Sequence, residues 1–282
     1  MKNTKFQSTF SLGADLTVNR LGYGAMRITG AGIWGQPENK EEAIKILKRA
    51  VESGVNFIDT ADSYGPYVSE DLIAEALYPY PKGLVIGTKG GILRSGPNEW
   101  APDASPKHLK EALEGSLKRL KRDTIDLYQL HRIDAKVPVE ETFSFLKQAQ
   151  KEGKIKHIGL SEVSVEDIKK AETFFNVVSV QNMYSIDNRK WESVLEYCAE
   201  QKIAFIPWYP LSGGNTEKLK VLQKIADEHH ATIHQIALNW LLRHSNTILL
   251  IPGTSSLKHL EENMKSSSIE LTDTNMLELN HI

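Results

Sequence analysis

Short apolar, β-branched runs alternate along the chain with longer segments whose apolar residues recur at helical spacing. The runs are RLGYGAM (20–26), VNFI (55–58), LVIGT (84–88), IDLYQL (125–130), IKHIGL (155–160), VVSVQN (177–182), IAFIPW (203–208) and ILLIP (248–252). After the first run, Ile44, Leu47 and Val51 share one helical face, with Asn39 as N-cap and Gly54 as stop. Leu109, Leu113, Leu117 and Leu120 repeat that stripe behind Ser105-Pro106, a cap followed by a proline at the first helical position. Ser164 with Asp167, and Thr232 with Gln235, have capping-box spacing. Strand and helix in alternation predict parallel β/α units, and eight of them predict an α/β fold of the (β/α)8 TIM-barrel type. An open Rossmann sheet fits less well, because GYGAMR (22–27) has Arg27 where the third fingerprint glycine belongs and no capped helix opens there. FSLGADLTV (10–18) alternates around Gly13 and predicts a β-hairpin, about residues 6–18, in front of the barrel. Without an internal linker, 1–282 is expected to be one domain, ending in a tail over about 266–282.

Composition narrows the partners. A net charge of −2 with no long run of one sign lacks the footprint of a nucleic-acid or anionic-membrane binder, so a small-molecule partner is expected. The single cysteine, Cys198, forms neither an internal disulfide nor a multi-cysteine zinc site, which suits a reducing compartment. The opening MKNTKFQSTFSLG is too polar for a signal peptide and no stretch is apolar enough to span a bilayer, so a cytoplasmic protein is expected. His230 and His234 have metal-ligand spacing, but Thr232 as an N-cap between them separates them onto different elements, and no metal is expected. The basic run 107–122 already has helical leucine spacing and reads as a solvated helix face.

A barrel collects its chemistry at the C-terminal ends of its strands. There the chain places Asp59, Lys89, His131, Ser161, Gln181, Trp208 with Tyr209, and Thr254. A polar residue at a strand end is ordinary for a serine or threonine in a turn. Ionisable groups on three successive strand ends are costly unless paired or used. A tyrosine hydroxyl, with a pKa near about 10, is a weak acid at neutral pH. A neighbouring ammonium lowers that value, and a carboxylate keeps the ammonium charged and oriented. Asp59, Lys89 and Tyr64 are the residue types for such an acid, and His131 could hold a carbonyl oxygen while the proton arrives. The chemistry described is carbonyl reduction.

The chain resembles the aldo-keto reductase family over nearly its whole length. The matching stretches are GVNFIDTADSYG (54–65), SEDLIAEAL (69–77), IGTKGG (86–91), IDLYQLH (125–131), IKHIGLSEVS (155–164), VQNMYS (180–185), WYPLSGG (208–214) and IPGTSSLKHLEEN (251–263). The resemblance implies a (β/α)8 barrel that binds NADP(H) in extended form, and a tetrad of Asp59, Tyr64, Lys89 and His131. It implies that Ser161 and Gln181 hold the nicotinamide carboxamide and that Trp208 stacks on the ring. Pro210, Leu211, Ser212 and Gly213 match the loop over the pyrophosphate; Thr254, Ser255, His259, Glu262 and Asn263 match the adenosine end. A monomer that takes a small-molecule carbonyl substrate is the corresponding expectation.

Three departures stand out. Glu162 replaces an asparagine, and an ionised carboxylate cannot donate a hydrogen bond. Gly253 and His259 stand where many members have a lysine and an arginine for a 2'-phosphate, so NAD(H) stays open beside NADP(H). The tail is short compared with members whose C-terminal loop covers the substrate, which predicts a more open pocket. Trp34 in the glycine-rich loop 30–37, Trp100 and Tyr184 suggest an apolar substrate pocket, with Trp34 equally readable as a loop anchor. Aryl or sugar-derived aldehydes, dicarbonyls and pyridoxal all remain candidate substrates. Two alternatives stay beside the reductase: an aldolase forming a Schiff base on Lys89, and a non-catalytic NADP-sensing regulatory subunit.

Overall fold

The computed structural model describes residues 7–282 apart from Ala14 and 211–215, with the backbone alone for 216–218. Its strands are β1 (Thr9–Leu12), β2 (Leu16–Asn19), β3 (Tyr23–Gly24), β4 (Phe57–Asp59), β5 (Val85–Gly90), β6 (Ile92–Leu93), β7 (Ala101–Pro102), β8 (Ile125–Leu130), β9 (Ile155–Ser161), β10 (Val177–Gln181) and β11 (Ala204–Phe205). The helices are α1 (Lys40–Glu52), α2 (Val68–Leu77), α3 (Pro106–Arg119), α4 (Val139–Lys151), α5 (Val165–Glu172), α6 (Glu192–Gln201), α7 (Thr216–Glu228), α8 (Ile233–His244), α9 (Leu257–Lys265) and α10 (Asp273–Asn280). Helix starts follow the sequence signals: Ser105 accepts from His108 N ahead of Pro106, and Ser164 and Thr232 form complete capping boxes. Each such cap is worth about 1 kcal/mol.

Seven strands form one parallel sheet in the order β11-β10-β9-β8-β5-β4-β3. The segment 248–250 closes it into a (β/α)8 barrel. Ile248 bridges Phe205 of β11, and Leu250 bridges Leu21 just ahead of β3. Gly22 N donates to Leu250 O at 2.8 Å, and Leu249 N to Phe205 O at 2.9 Å. Thus the eighth apolar run is a stave held by isolated bridges rather than a continuous strand. The first run is also shorter than its apolar stretch, because the chain coils into a 3-10 turn at Ala25–Ile28.

The predicted hairpin is present as the antiparallel pair β1 and β2, with Phe10 opposite Val18 and Leu12 opposite Leu16. It plugs the N-terminal end of the barrel. Leu12 and Val18 pack with Phe57, Val85, Leu127, Val178, Ala204, Ile206 and Leu249 in an interior cluster separate from the larger core between sheet and helices. Asp15 ties the hairpin down through Lys156 at 2.8 Å and His157 at 2.7 Å. Gly13, at φ +59°, lies so close to the His157 ring that a Cβ would collide with it.

Side chains two apart on a strand point the same way. Phe57, Val85 and Leu127 fill the apolar plug, so the next inward positions, Asp59, Gly87 and Gln129, lie one layer higher. Lys89 follows above Gly87. The outward residues Ile58, Ile86, Tyr128, Leu130, Ile158, Leu160 and Val180 join the core against the helices. This alternation carries polar groups to the C-terminal mouth without exposing an apolar face.

The tail packs outside the barrel. Asn239 of α8 donates to Ser266 O at 2.7 Å and Ile269 O at 2.9 Å, and Trp240 Nε1 donates to Asn280 at 2.9 Å. Among the described residues, no helix is long and apolar enough to cross a membrane.

Candidate active site

Asp59 ends β4, Lys89 lies near the end of β5 and His131 follows β8 directly. Tyr64 comes from the loop after β4, which is stitched to its neighbour: Thr60 N donates to Gly87 O at 2.8 Å and Asp62 N to Lys89 O at 3.1 Å. Gly65 turns the loop at φ +101°, a conformation L side chains rarely adopt, with Val68 in the space a Cβ would need. These constraints bring the four expected residues together. The Lys89 Nζ lies 2.6 Å from Asp59 Oδ2, 2.8 Å from the Thr60 carbonyl oxygen and 3.5 Å from the Tyr64 hydroxyl. The Tyr64 and His131 rings meet edge to face, centroids 5.9 Å apart. All four residues are buried.

The other carboxylate oxygen, Asp59 Oδ1, accepts from Gln129 Nε2 at 3.1 Å and from Gln181 Nε2 at 2.9 Å. Burial opposes the Lys89 ammonium, but Asp59 and then Tyr64 outweigh it, so its pKa lies above the ordinary lysine value. Burial also raises the Tyr64 pKa. Lys89 pulls it down without reversing the shift, so the phenol is a weaker acid in this pocket than the expectation of a lowered pKa had it. Burial, reinforced by the positive charges of Lys89, Arg132 and Arg94, holds the His131 pKa well below its usual value. His131 is therefore neutral near pH 7. Its Nδ1 lies 3.3 Å from Ser63 Oγ; a proton donated by the serine there leaves the imidazole proton on Nε2.

The tetrad opens into a cavity of about 780 Å3, within the about 300–1,000 Å3 usual for ligand sites. Ile33, Ile92, Trp100, Ala101 and Pro102 line it beside Tyr64; Ser161, Gln181, Trp208, Tyr209 and Pro210 follow; Met26, Arg27, His234, Ile251, Pro252, Gly253 and Asn263 line the remainder. No residue after Asn263 is among them. Trp100 is in the wall, its ring 6.4 Å from that of Tyr64 and covered by the Arg94 guanidinium at 3.6 Å. Trp34 is not a lining residue. Its backbone pairs with Gly65, and its ring lies 5.6 Å from the same guanidinium, which is the loop-anchor reading. Tyr184 is corrected to a core residue: it is fully buried, bonded to Glu192 and His244, and stacked on Trp240.

Ser161 and Trp208 flank the mouth. Glu162 turns away from the cavity: its Oε1 accepts from Trp208 Nε1 at 2.7 Å and from Met183 N at 2.5 Å, so the departure from asparagine fixes the edge of the tryptophan. Gln181 reaches inward to Asp59. Ser256 caps α9, Thr254 supports that turn by accepting from Ser256 N at 3.1 Å, and Ser255 and His259 are exposed. Glu262 is half-buried beside Asn263. Gly253 has a local cause, since a Cβ there would lie 2.7 Å from the carbonyl oxygen of Gly24. A lysine side chain cannot grow from that backbone without moving the β3 end. Leu211, Ser212 and Gly213 lie outside the described residues. His230 sits in the turn after α7 and His234 in α8, so the two do not share a helix.

Four site residues were missed in the sequence. Gln129 was legible in principle, two positions before His131 on the inward parity of β8. Ser63 adjoins Tyr64 but carries no pattern that marks it. Arg94 donates to the backbone carbonyls of Gly32, Ile33, Ser63, Gly96 and Glu99, clasping three loops, and Arg132 reaches Ser161 Oγ at 2.9 Å. Contacts between loops so far apart in the chain have no local signature.

The closed (β/α)8 barrel thus gathers the buried Lys89-Asp59 pair, Tyr64 and His131 at one end, beside a cavity large enough for a small-molecule ligand. Residues 20–282 match the model of the aldo/keto reductase family, and the chain belongs to that family. It is 55% identical over 259 residues to an uncharacterized oxidoreductase of Schizosaccharomyces pombe, covering 92% of this chain and 84% of that one. It is 40% identical over 272 residues to the pyridoxine 4-dehydrogenase of Escherichia coli, covering 94% of this chain and 95% of the other. Among solved structures it superposes on a thermostable aldo-keto reductase, Tm1743, solved with the inhibitor epalrestat, with a TM-score of 0.83, 29% identity and 99% of both chains covered.

Proposed function

We propose that this chain is an NADP(H)-dependent reductase that converts an aldehyde or ketone to the alcohol, with Tyr64 as general acid. The observation that carries the reading is the buried line Asp59, Lys89, Tyr64, with separations of 2.6 and 3.5 Å, ending at the floor of the cavity beside His131. NADP(H), which family membership implies, supplies the hydride from nicotinamide C4 when bound. The residues fit such a group: the cavity is long enough to run from Trp100 to Asn263, and the close approach of Gly24 and Gly253 leaves backbone, not side chain, at its edge. Ser161, Gln181 and Trp208 would hold the nicotinamide end, Pro210 would lie at the pyrophosphate, and Thr254, Ser255, His259, Glu262 and Asn263 would hold the adenosine end.

In this mechanism His131 donates from Nε2 to the carbonyl oxygen and orients it. Tyr64 gives its proton to that oxygen as negative charge develops. Lys89 stabilises the phenolate left behind, and Asp59, held by Gln129 and Gln181, keeps the ammonium in place. A raised Tyr64 pKa keeps the acid loaded across the neutral range.

Trp100 and Tyr64, with Ile33 and Ile92 beside them, favour a flat aromatic aldehyde, and pyridoxal is a specific candidate because the relative at 40% identity is a pyridoxine 4-dehydrogenase. A panel of pyridoxal, aryl, sugar-derived and dicarbonyl substrates, followed by NADPH and NADH consumption in parallel, tests the reading. NADPH consumption with aryl aldehydes is expected; no consumption with any carbonyl compound overturns it. The Schiff-base aldolase is disfavoured, because an ammonium whose pKa is raised and whose protons bond Asp59 and Thr60 is a poor amine nucleophile.

The titration directions give a pH prediction. A general acid is active while protonated, and raising the Tyr64 pKa moves its loss upward. The kcat for reduction should therefore stay level through neutrality and fall only at alkaline pH, above about 10. A neutral His131 adds no inflection near its ordinary value of about 6.5. A pH profile of kcat with an acid limb at that value would contradict the neutral imidazole.

A further inference from the structure

The cavity contains a cation with unused donors. Lys89 is neutralised by Asp59. Arg94 spends all five of its N–H groups on backbone carbonyls. Arg27 is exposed, with its stem at the far edge beside Gly253. Arg132 differs from all three. It is half-buried, lines the cavity with its guanidinium 5.9 Å from the Trp208 ring centroid, and donates through Nη1 alone, to His131 O at 2.6 Å and Ser161 Oγ at 2.9 Å. Its Nε and Nη2 have no protein acceptor among the described residues. Nor does a described carboxylate contact it: Glu162, the nearest in electrostatic effect, is turned toward Trp208 and Met183.

We infer that Arg132 is a specificity residue for the proposed reduction, and that the preferred substrate is an aldehyde carrying an anionic oxygen substituent, a carboxylate or phenolate, which the Nε and Nη2 edge of Arg132 receives. The inference rests on the reductase reading of Tyr64. Two bonds from Nη1 fix the guanidinium plane, so the fork is oriented before the ligand arrives and loses little freedom on binding. A guanidinium presents parallel N–H groups that match two carboxylate oxygens. The guanidinium lines the same cavity as His131, and its charge acts on both His131 and Tyr64. A neutral aldehyde leaves these donors to water; an anionic one satisfies them in a partly desolvated site, where a charged hydrogen bond is stronger than a neutral one.

The test compares the 2-, 3- and 4-carboxybenzaldehydes with their methyl esters, with NADPH, in the wild type, Arg132→Gln and Arg132→Lys. At least one carboxylated isomer should exceed its ester by about 10- to 100-fold in kcat/KM. Arg132→Gln should erase that ratio, and Arg132→Lys should restore part of it. Calorimetric binding of benzoate and benzamide to the NADP+-saturated protein supplies a readout that needs no turnover: benzoate should bind tighter, and Arg132→Gln should remove the difference. A ratio near one in the wild type, or a preference that survives in Arg132→Gln, overturns the assignment while leaving the reductase reading intact. If Arg132→Gln weakens NADPH binding but keeps the carboxylate preference, the residue serves the cofactor and the inference fails. Benzoate binding that depends on Arg132 without reduction of any aldehyde would keep the anion site and reject the reductase reading.

Discussion

Tyr64→Phe is expected to lower kcat for aldehyde reduction by about 10²- to 10⁴-fold, the usual contribution of a positioned general acid. The hydroxyl lies 3.5 Å from Lys89 Nζ and belongs to a cavity-lining residue that keeps its proton near neutrality. The ring itself packs edge-on against Trp100 and His131, and phenylalanine preserves both contacts. Because the lost hydrogen bond is long, the cost in stability should be no more than about 1 kcal/mol. Binding of NADPH, followed by fluorescence, should survive. The combination separates chemistry from folding: turnover near the wild-type level would remove Tyr64 from the mechanism, whereas loss of the fold along with activity would be inconsistent with the packing described.

The Lys89-Asp59 pair should dominate both stability and activity. Lys89→Met removes the partner of a carboxylate that is 2% exposed and leaves it only the two glutamine amides on Oδ1. Breaking a buried pair in this way typically costs about 3–5 kcal/mol. Urea unfolding should show the loss as a lower midpoint. The double variant Asp59→Asn with Lys89→Met removes both charges, while the amide oxygen introduced at position 59 can still accept from Gln129 and Gln181, so most of that stability should return. Activity should not return, because Tyr64 then lacks the ammonium that stabilises its conjugate base. Equal midpoints for the wild type and Lys89→Met would mean that the pair is solvated; recovery of activity in the double variant would mean that the ammonium is not needed.

The barrel was legible because its pattern is local. Apolar runs, helix caps and stop glycines act within a few residues of themselves, and most of the predicted starts, including Pro106 and the boxes at Ser164 and Thr232, are where the helices begin. The strand-end rule then placed Asp59, Lys89 and His131 at one mouth, since inward positions recur every second residue and the layer below is apolar. The outline of the site therefore followed from periodicity and topology together. Residues 266–269 lie against α8, away from the cavity.

What the sequence by itself determined is the order of staves and helices, the hairpin, and which ionisable side chains share an end of the barrel, because each depends on spacing along one chain. Only the tertiary structure decided the balance at each group. The same Lys89 that lowers the Tyr64 pKa stands in a site dry enough for burial to win, and burial depends on every element packed around the pocket. Only the fold brought Arg94 onto loops separated by up to 62 positions, turned Glu162 to the edge of Trp208, and left Arg132 with open donors. Electrostatic and hydrogen-bonding roles are sums over neighbours in space, and proximity in space is what a one-dimensional pattern does not contain.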